Sequence, residues 1–159
     1  MALLLVRHAN AGRRSAYKGD DRQRPLSPRG RERAIELVPL LGQYRPQRIL
    51  SSPYVRCWET VQPLAESLGL PVEAVGELAE GHGADAVELM MRMAGESAVL
   101  CTHGDVATDV LAALGSSPGV GSSSVSKLQK GEVWVIQSAG TSLAVVEHHR
   151  KTARTAGSP

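Results

Sequence analysis

Apolar residues in this chain fall into two kinds of run. Ala2–Val6 is continuous, without polar alternation, and Ala98–Thr102 repeats the pattern. Such runs predict strands buried on both faces. Ala34, Leu37, Val38 and Leu41 instead recur at helical spacing, behind Ser27 as predicted N-cap and Pro28 at the first helical position. Gly42 and Pro46 bound that helix. Ser52 and Pro53 repeat the start signal, Val61, Leu64, Ala65 and Leu68 give a second apolar stripe, and Gly69 closes it. Pro39 and Pro63 fall inside these two helices, so each helix is expected to kink or end early there.

The remaining pattern alternates in the same way. Arg48–Leu50 and PVEAV (71–75) predict short strands. Val87, Met90, Met91 and Ala94 mark a third helix, and Val106, Val110, Leu111 and Leu114 a fourth. EVWVIQS and LAVVEHH flank AGT as an antiparallel hairpin. The Gly/Ser-rich residues 115–126 read as loop, and residues 149–159 as a disordered basic tail. Strands alternating with helices predict an α/β three-layer sandwich, a mostly parallel central sheet with helices on both faces, in one domain over residues 1–148.

Composition narrows the function classes. The 159 residues include 42% hydrophobic and 21% charged side chains at a net charge of +2, the profile of an ordinary globular domain. That charge is too small to indicate nucleic-acid binding, and with two Trp, three Tyr and no Phe there is no stacking pattern to support it. Ala2–Val6 is too short for a membrane span or signal segment, so a cytoplasmic location without membrane contact is expected. Cys57 and Cys101 lack zinc-ligand spacing and are expected to be reduced.

The costly residues sit at strand ends. Arg7 and His8 end the first apolar run, and His103 follows the Ala98–Thr102 run with Gly104 behind it. Arg56 lies one turn inside the second helix, with Thr60 four residues on. In an open α/β sheet the carboxyl ends of the strands form the ligand site. Two arginines, two histidines and helix N-termini suit a small, highly charged anion, and arginine's planar fork suits phosphate. Nearby positive charge should keep at least one histidine neutral, and a neutral imidazole beside a phosphoryl group is a nucleophile. Nothing in this arrangement calls for a metal or a cofactor.

VRHANAG, then SSPYVRCWET, then CTHGD, in that order, resemble the histidine phosphatase (phosphoglycerate-mutase-like) superfamily. The compact length and PLSPRGRERA look most like its small bacterial SixA-type phosphohistidine phosphatase branch. The resemblance implies that His8 is transiently phosphorylated. It also implies that Arg7, Arg56 and His103 bind the phosphoryl group and that Gly104 lends its backbone N–H. The family's acidic proton donor would come from VGELAEG, as Glu77, with Glu80 as competitor or neither acting. RHANA stands where the family usually has RHGxT.

The implied activity is a metal-independent phosphatase, expected to act on protein phosphohistidine. The rivals are a phosphomonoesterase or nucleotide phosphohydrolase of the same mechanism, and a catalytically inactive phosphate-binding module. Either way the partner is a phosphorylated protein or small phosphorylated substrate, and the oligomeric state is open. Arg13 or Lys18, in the basic segment after His8, is the candidate for substrate choice. Tyr54 and Trp58 are expected to pack, with a place at the pocket rim left open, and His82, His148 and His149 to hold no metal.

Overall fold

The computed structural model describes residues 1–114, 127–139 and 142–151. Its elements run β1 (Leu3–Arg7), α1 (Pro28–Gly42), β2 (Arg48–Ser51), α2 (Val55–Leu68), β3 (Val72–Ala74), α3 (Gly83–Arg92), β4 (Ala98–Thr102), α4 (Gly104–Leu114), β5 (Val133–Ala139) and β6 (Ser142–His149). The strands form one six-stranded sheet in the order β3-β2-β4-β1-β5-β6. β1 pairs in parallel with β4, and β2 in parallel with β4 and β3, whereas β5 runs antiparallel to β1 and β6 antiparallel to β5. Residues 115–126 and the 140–141 tip of the predicted hairpin lie outside the described residues.

Successive side chains of β1 feed two cores. Leu4 and Val6 join Leu37 and Leu41 of α1 and Val61 and Leu64 of α2. Leu3 and Leu5 join Met90 of α3, Val106 and Val110 of α4, and Trp134. This two-sided burial is why β1 and β4 read as unbroken apolar runs. The three-layer α/β sandwich with a mostly parallel sheet is what the pattern predicted. Among the described residues, no helix is long and apolar enough to cross a membrane.

Three expectations need correction. First, neither helix ends early at its proline: α1 and α2 continue through Pro39 and Pro63. A helical proline strips the N–H from the carbonyl four residues back. In α1 that is Ile35, whose side chain is 65% exposed, so water is at hand for the carbonyl. Second, the buried face of α3 is Ala86, Leu89 and Met90, followed by Met93, while Met91 and Ala94 face solvent. Residues 86, 89, 90, 93 and 87, 90, 91, 94 have the same helical spacing, so hydrophobicity alone does not choose between them. Close packing does: a Cβ at Gly83 would collide with Asp109 of α4. Third, His149 is the last paired residue of β6, opposite Val133, and the Lys151 N–H donates to Glu132. The chain is therefore tied down past the expected tail boundary.

The start of α1 also anchors the loop behind β1. Ser27 Oγ accepts from the Gly30 N–H as predicted, and it donates to Asn10 Oδ1 at 2.7 Å. A Cβ on Gly30 would overlap the Asn10 carbonyl oxygen. The glycine therefore lets α1 butt directly against the segment carrying His8.

Candidate active site

Arg7, His8, Arg56 and His103 converge at the carboxyl end of the sheet, lining one cleft of about 1080 Å³. β1 delivers the first two, the turn after β4 delivers His103, and the first turn of α2 delivers Arg56. His8 is buried, and its Nδ1 lies 2.8 Å from the Ala9 carbonyl oxygen. A carbonyl only accepts, so Nδ1 carries the hydrogen and the lone pair belongs to Nε2. Burial chiefly, then the charges of His103, Arg56 and Arg7, outweigh that hydrogen bond and push the His8 pKa down to about 3. A neutral histidine was expected from neighbouring positive charge; desolvation is the larger cause.

His103 is also buried. Its Nε2 lies 2.8 Å from Ser52 Oγ, its Nδ1 3.6 Å from Glu80 Oε1, and its ring meets that of His8 edge-on with centroids 5.5 Å apart. Ser52 is thus not the cap of α2. Tyr54 takes that position without a side-chain bond, and Ser52 Oγ accepts the Tyr54 N–H while holding His103. The Ser-Pro pair that imitates a helix start is a bracket for the second histidine. Tyr54 stacks edge-on to His103 at 4.6 Å and lies under the Arg56 guanidinium at 4.9 Å. Trp58, expected to pack, is 40% exposed. Cys57 and Cys101 are free and buried, with Cys57 Sγ 3.5 Å from His103 Nε2.

Arg56 is 1% exposed. Its Nη1 donates to the Asp21 carbonyl at 2.8 Å, and its Nη2 to Asp21 Oδ2 at 3.1 Å and Glu80 Oε1 at 2.8 Å. Asp21 also pairs with Arg14 and Arg24, so a carboxylate from the basic loop gathers three arginines. Thr60 Oγ1 donates to the Arg56 carbonyl and accepts the Ala9 N–H, which links α2 to the residue after His8. Arg7 donates through Nη1 to the Leu128 carbonyl. The Nε atoms of Arg7 and Arg56 are buried without a hydrogen-bond partner. Buried guanidinium donors at a cleft are suited to bonding an oxyanion.

Gly104 opens α4 beside Arg7, and a Cβ there would lie 2.8 Å from Arg7 Cζ. Gly104→Ala should therefore shift the guanidinium and lower kcat/KM on any phosphorylated substrate by about 10- to 100-fold, the cost of misplacing a binding group by about 1 Å. Steady-state kinetics with an aryl phosphate check this.

Of the two acids considered, Glu80 lines the cleft, and Glu77 instead pairs with Arg92 at 3.3 Å. Two bonds set this arrangement. Thr102 Oγ1 donates to the Leu78 carbonyl at 2.6 Å, and the Gly81 N–H to Asp105 Oδ2 at 2.8 Å, presenting Glu80 between them. Glu80→Gln is expected to slow turnover of alkyl phosphomonoesters by about 100-fold, a usual size for lost general-acid assistance, and Glu77→Gln by less than about threefold. Equal effects would return the question to both residues. Arg13 lines the cleft; Lys18 does not. Lys127 and Lys130, which the pattern did not single out, also line it. Among the described residues, no group of three or more His, Cys, Asp or Glu side chains is placed to hold a metal ion.

A mostly parallel α/β sheet bearing an arginine- and histidine-lined anion cleft at its carboxyl edge defines the class. The family model of the histidine phosphatase superfamily (branch 1) matches residues 3–94, and the chain belongs to that family, one of phosphatases. Over 110 residues it is 41% identical to the 8-oxo-(d)GTP phosphatase of Mycolicibacterium smegmatis, covering 65% of this chain and 34% of that protein. The chain thus spans about a third of the length of that relative. Its fold matches an Agrobacterium tumefaciens protein assigned as phosphohistidine phosphatase SixA, with a TM-score of 0.79 at 21% identity over 95% of this chain and 98% of that one. It also matches the protein histidine phosphatase SixA complexed with tungstate, with a TM-score of 0.74 at 20% identity over 94% and 96% of the two chains. At these identities the likeness carries the fold, that of phosphoglycerate-mutase-like phosphatases.

Proposed function

We propose that this chain is a phosphatase that works through a phosphohistidine intermediate on His8. The observation that carries the reading is the His8 ring itself: Nδ1 is committed to the Ala9 carbonyl, and burial keeps the ring neutral. An unprotonated Nε2 beside two arginines with unused donors is an armed nucleophile. Nε2 attacks phosphorus, the bond to the leaving oxygen breaks, and Arg7, Arg56 and His103 hold the phosphoryl oxygens as charge spreads over them. Glu80 is the acid for leaving groups that need a proton. Water then attacks phosphorus, the N–P bond breaks, and its electron pair returns to Nε2.

Two substrate classes fit this chemistry. Protein phosphohistidine, the expectation from the sequence, is supported by the SixA-like fold. A small phosphorylated compound is supported by the nucleotide phosphatase relative and by a cleft large enough for a ligand of drug size.

The test is rapid quenching of the wild-type protein with a ³²P-labelled aryl phosphate in EDTA. Acid-labile, base-stable label on the protein, mapped to His8, is the expected result. Turnover without such label would replace covalent catalysis by direct attack of water, and no turnover from folded protein would favour a phosphate-binding module.

A further inference from the structure

Seven arginine and lysine side chains line the cleft against two carboxylates, Glu80 and Asp105. Four of the seven are committed. Arg7 holds the Leu128 carbonyl, and Arg14, Arg24 and Arg56 share Asp21, with Glu80 also taken by Arg14 and Arg56. The other three, Arg13, Lys127 and Lys130, have no ion-pair partner among the described residues. One transferred phosphoryl group, already met by two arginines and His103, leaves them without a counter-charge.

The turn that carries these lysines is fixed. The Leu128 carbonyl takes Arg7 Nη1, and the Gly131 N–H donates to both the Arg7 carbonyl at 2.9 Å and the His8 carbonyl at 3.1 Å. The Gln129 N–H donates to Glu132 Oε1, and Arg33 Nε to the Gly131 carbonyl. The turn carrying Lys127 and Lys130 is thus bolted to the backbone of the nucleophile. Burial, then the charges of Arg7, Arg24, Lys151 and Arg56, lowers the Lys130 pKa, the strain of a cation lacking an anion.

We propose that Arg13, Lys127 and Lys130 form a second phosphate subsite, and that the substrate is a phosphoanhydride, a nucleoside di- or triphosphate, accepted whatever its base. The inference rests on His8 acting as nucleophile. His8 Nε2 bonds to the terminal phosphorus, and the bridging P–O bond breaks with its electron pair leaving on the shortened nucleotide. Water then cleaves the N–P bond and releases orthophosphate and a proton. The subsite takes up the charge that develops on the departing phosphate, which leaves without obligatory protonation, unlike an alkoxide. Indifference to the base follows from the lining, which among the described residues contains no Phe, Tyr or Trp, its two imidazoles, His8 and His103, standing at the phosphoryl end. Bases are gripped by stacking or by edge hydrogen bonds.

The experiment measures kcat/KM for ADP, GDP, CDP, an aryl phosphate and a phosphohistidine protein, with wild type, Lys127→Glu/Lys130→Glu, Arg13→Ala and His8→Ala. In wild type the three diphosphates should agree within about threefold and exceed the aryl phosphate and phosphohistidine protein. The double variant should lower the diphosphate-to-aryl ratio by about 10- to 100-fold, and Arg13→Ala by about 10-fold, the range for lost charge-assisted hydrogen bonds. A ratio unmoved by either variant, a strong base preference, or a phosphohistidine protein turned over fastest would overturn the subsite while leaving His8 as nucleophile. Turnover surviving in His8→Ala would instead overturn the reading beneath it.

Discussion

His8→Ala is expected to lower kcat/KM by about 10,000-fold or more on every substrate the wild type turns over, the scale on which enzymes lose a covalent nucleophile. If His8 only bound the phosphoryl group, the loss would be nearer 100- to 1,000-fold, as for a lost oxyanion donor. His8→Asn would then recover part of it. The same variant makes a second prediction through stability. The imidazole titrates near 6.5 when unfolded and near 3 in the buried site. Between those values the unfolded chain binds a proton that the folded chain does not, so stability falls as pH falls from 6.5 toward 3. Alanine has no such proton to take up. Urea unfolding at pH 7 and pH 4.5 should therefore show a smaller acid loss in His8→Ala than in wild type. Equal losses would remove the buried neutral imidazole from the mechanism.

That buried state was only half legible in the sequence. The strand carrying His8 was plain from an unbroken apolar run, and the carboxyl-edge rule brought Arg7, His8 and His103 to one end of the sheet. What periodicity lacks is rotation and local hydrogen bonding. Two equivalent registers of α3 could not be separated without the contact of Gly83 with Asp109. Ser52 read as a helix cap because Ser-Pro is the cap pattern, although its hydroxyl is spent on His103. Glu77 and Glu80 are three residues apart in one loop, and only the Thr102–Leu78 and Gly81–Asp105 bonds decide which of them reaches the histidines. The basic segment after His8 offered Arg13 or Lys18 for substrate choice but not its internal order, because its organiser is a single acid. Asp21 looks ordinary in sequence, yet it collects Arg14, Arg24 and Arg56.

Arg56→Ala should expose that organisation at the cost of both folding and activity. The guanidinium is buried and holds Asp21 and Glu80 together, so its loss removes their shared buried cation and leaves Glu80 with the exposed Arg14 and Asp21 with Arg14 and Arg24. A broken buried pair costs about 3–5 kcal/mol, and partial exposure of both acids brings the expectation here to about 2–4 kcal/mol. Burial of Asp21 works to raise its pKa, but the hydrogen bond from Arg24 and the charges of Arg56, Arg24 and Arg14 outweigh it and hold it below the ordinary 3.8. The Asp21 share of the stabilisation is therefore present above pH 3.8 and lost as pH falls below it, so the gap between wild type and variant should narrow there. Activity should fall by about 100- to 1,000-fold at the same time, because a donor is missing where phosphoryl charge develops. Arg56→Lys separates the two effects. A lysine restores the charge, and with it part of the stability, but its compact ammonium cannot bond the Asp21 backbone, both carboxylates and a phosphoryl oxygen in one plane. Stability should recover further than kcat/KM does. If the two recovered together, Arg56 would be a strut that holds the loop in place, and the anion site would have to be carried by Arg7 and His103 alone.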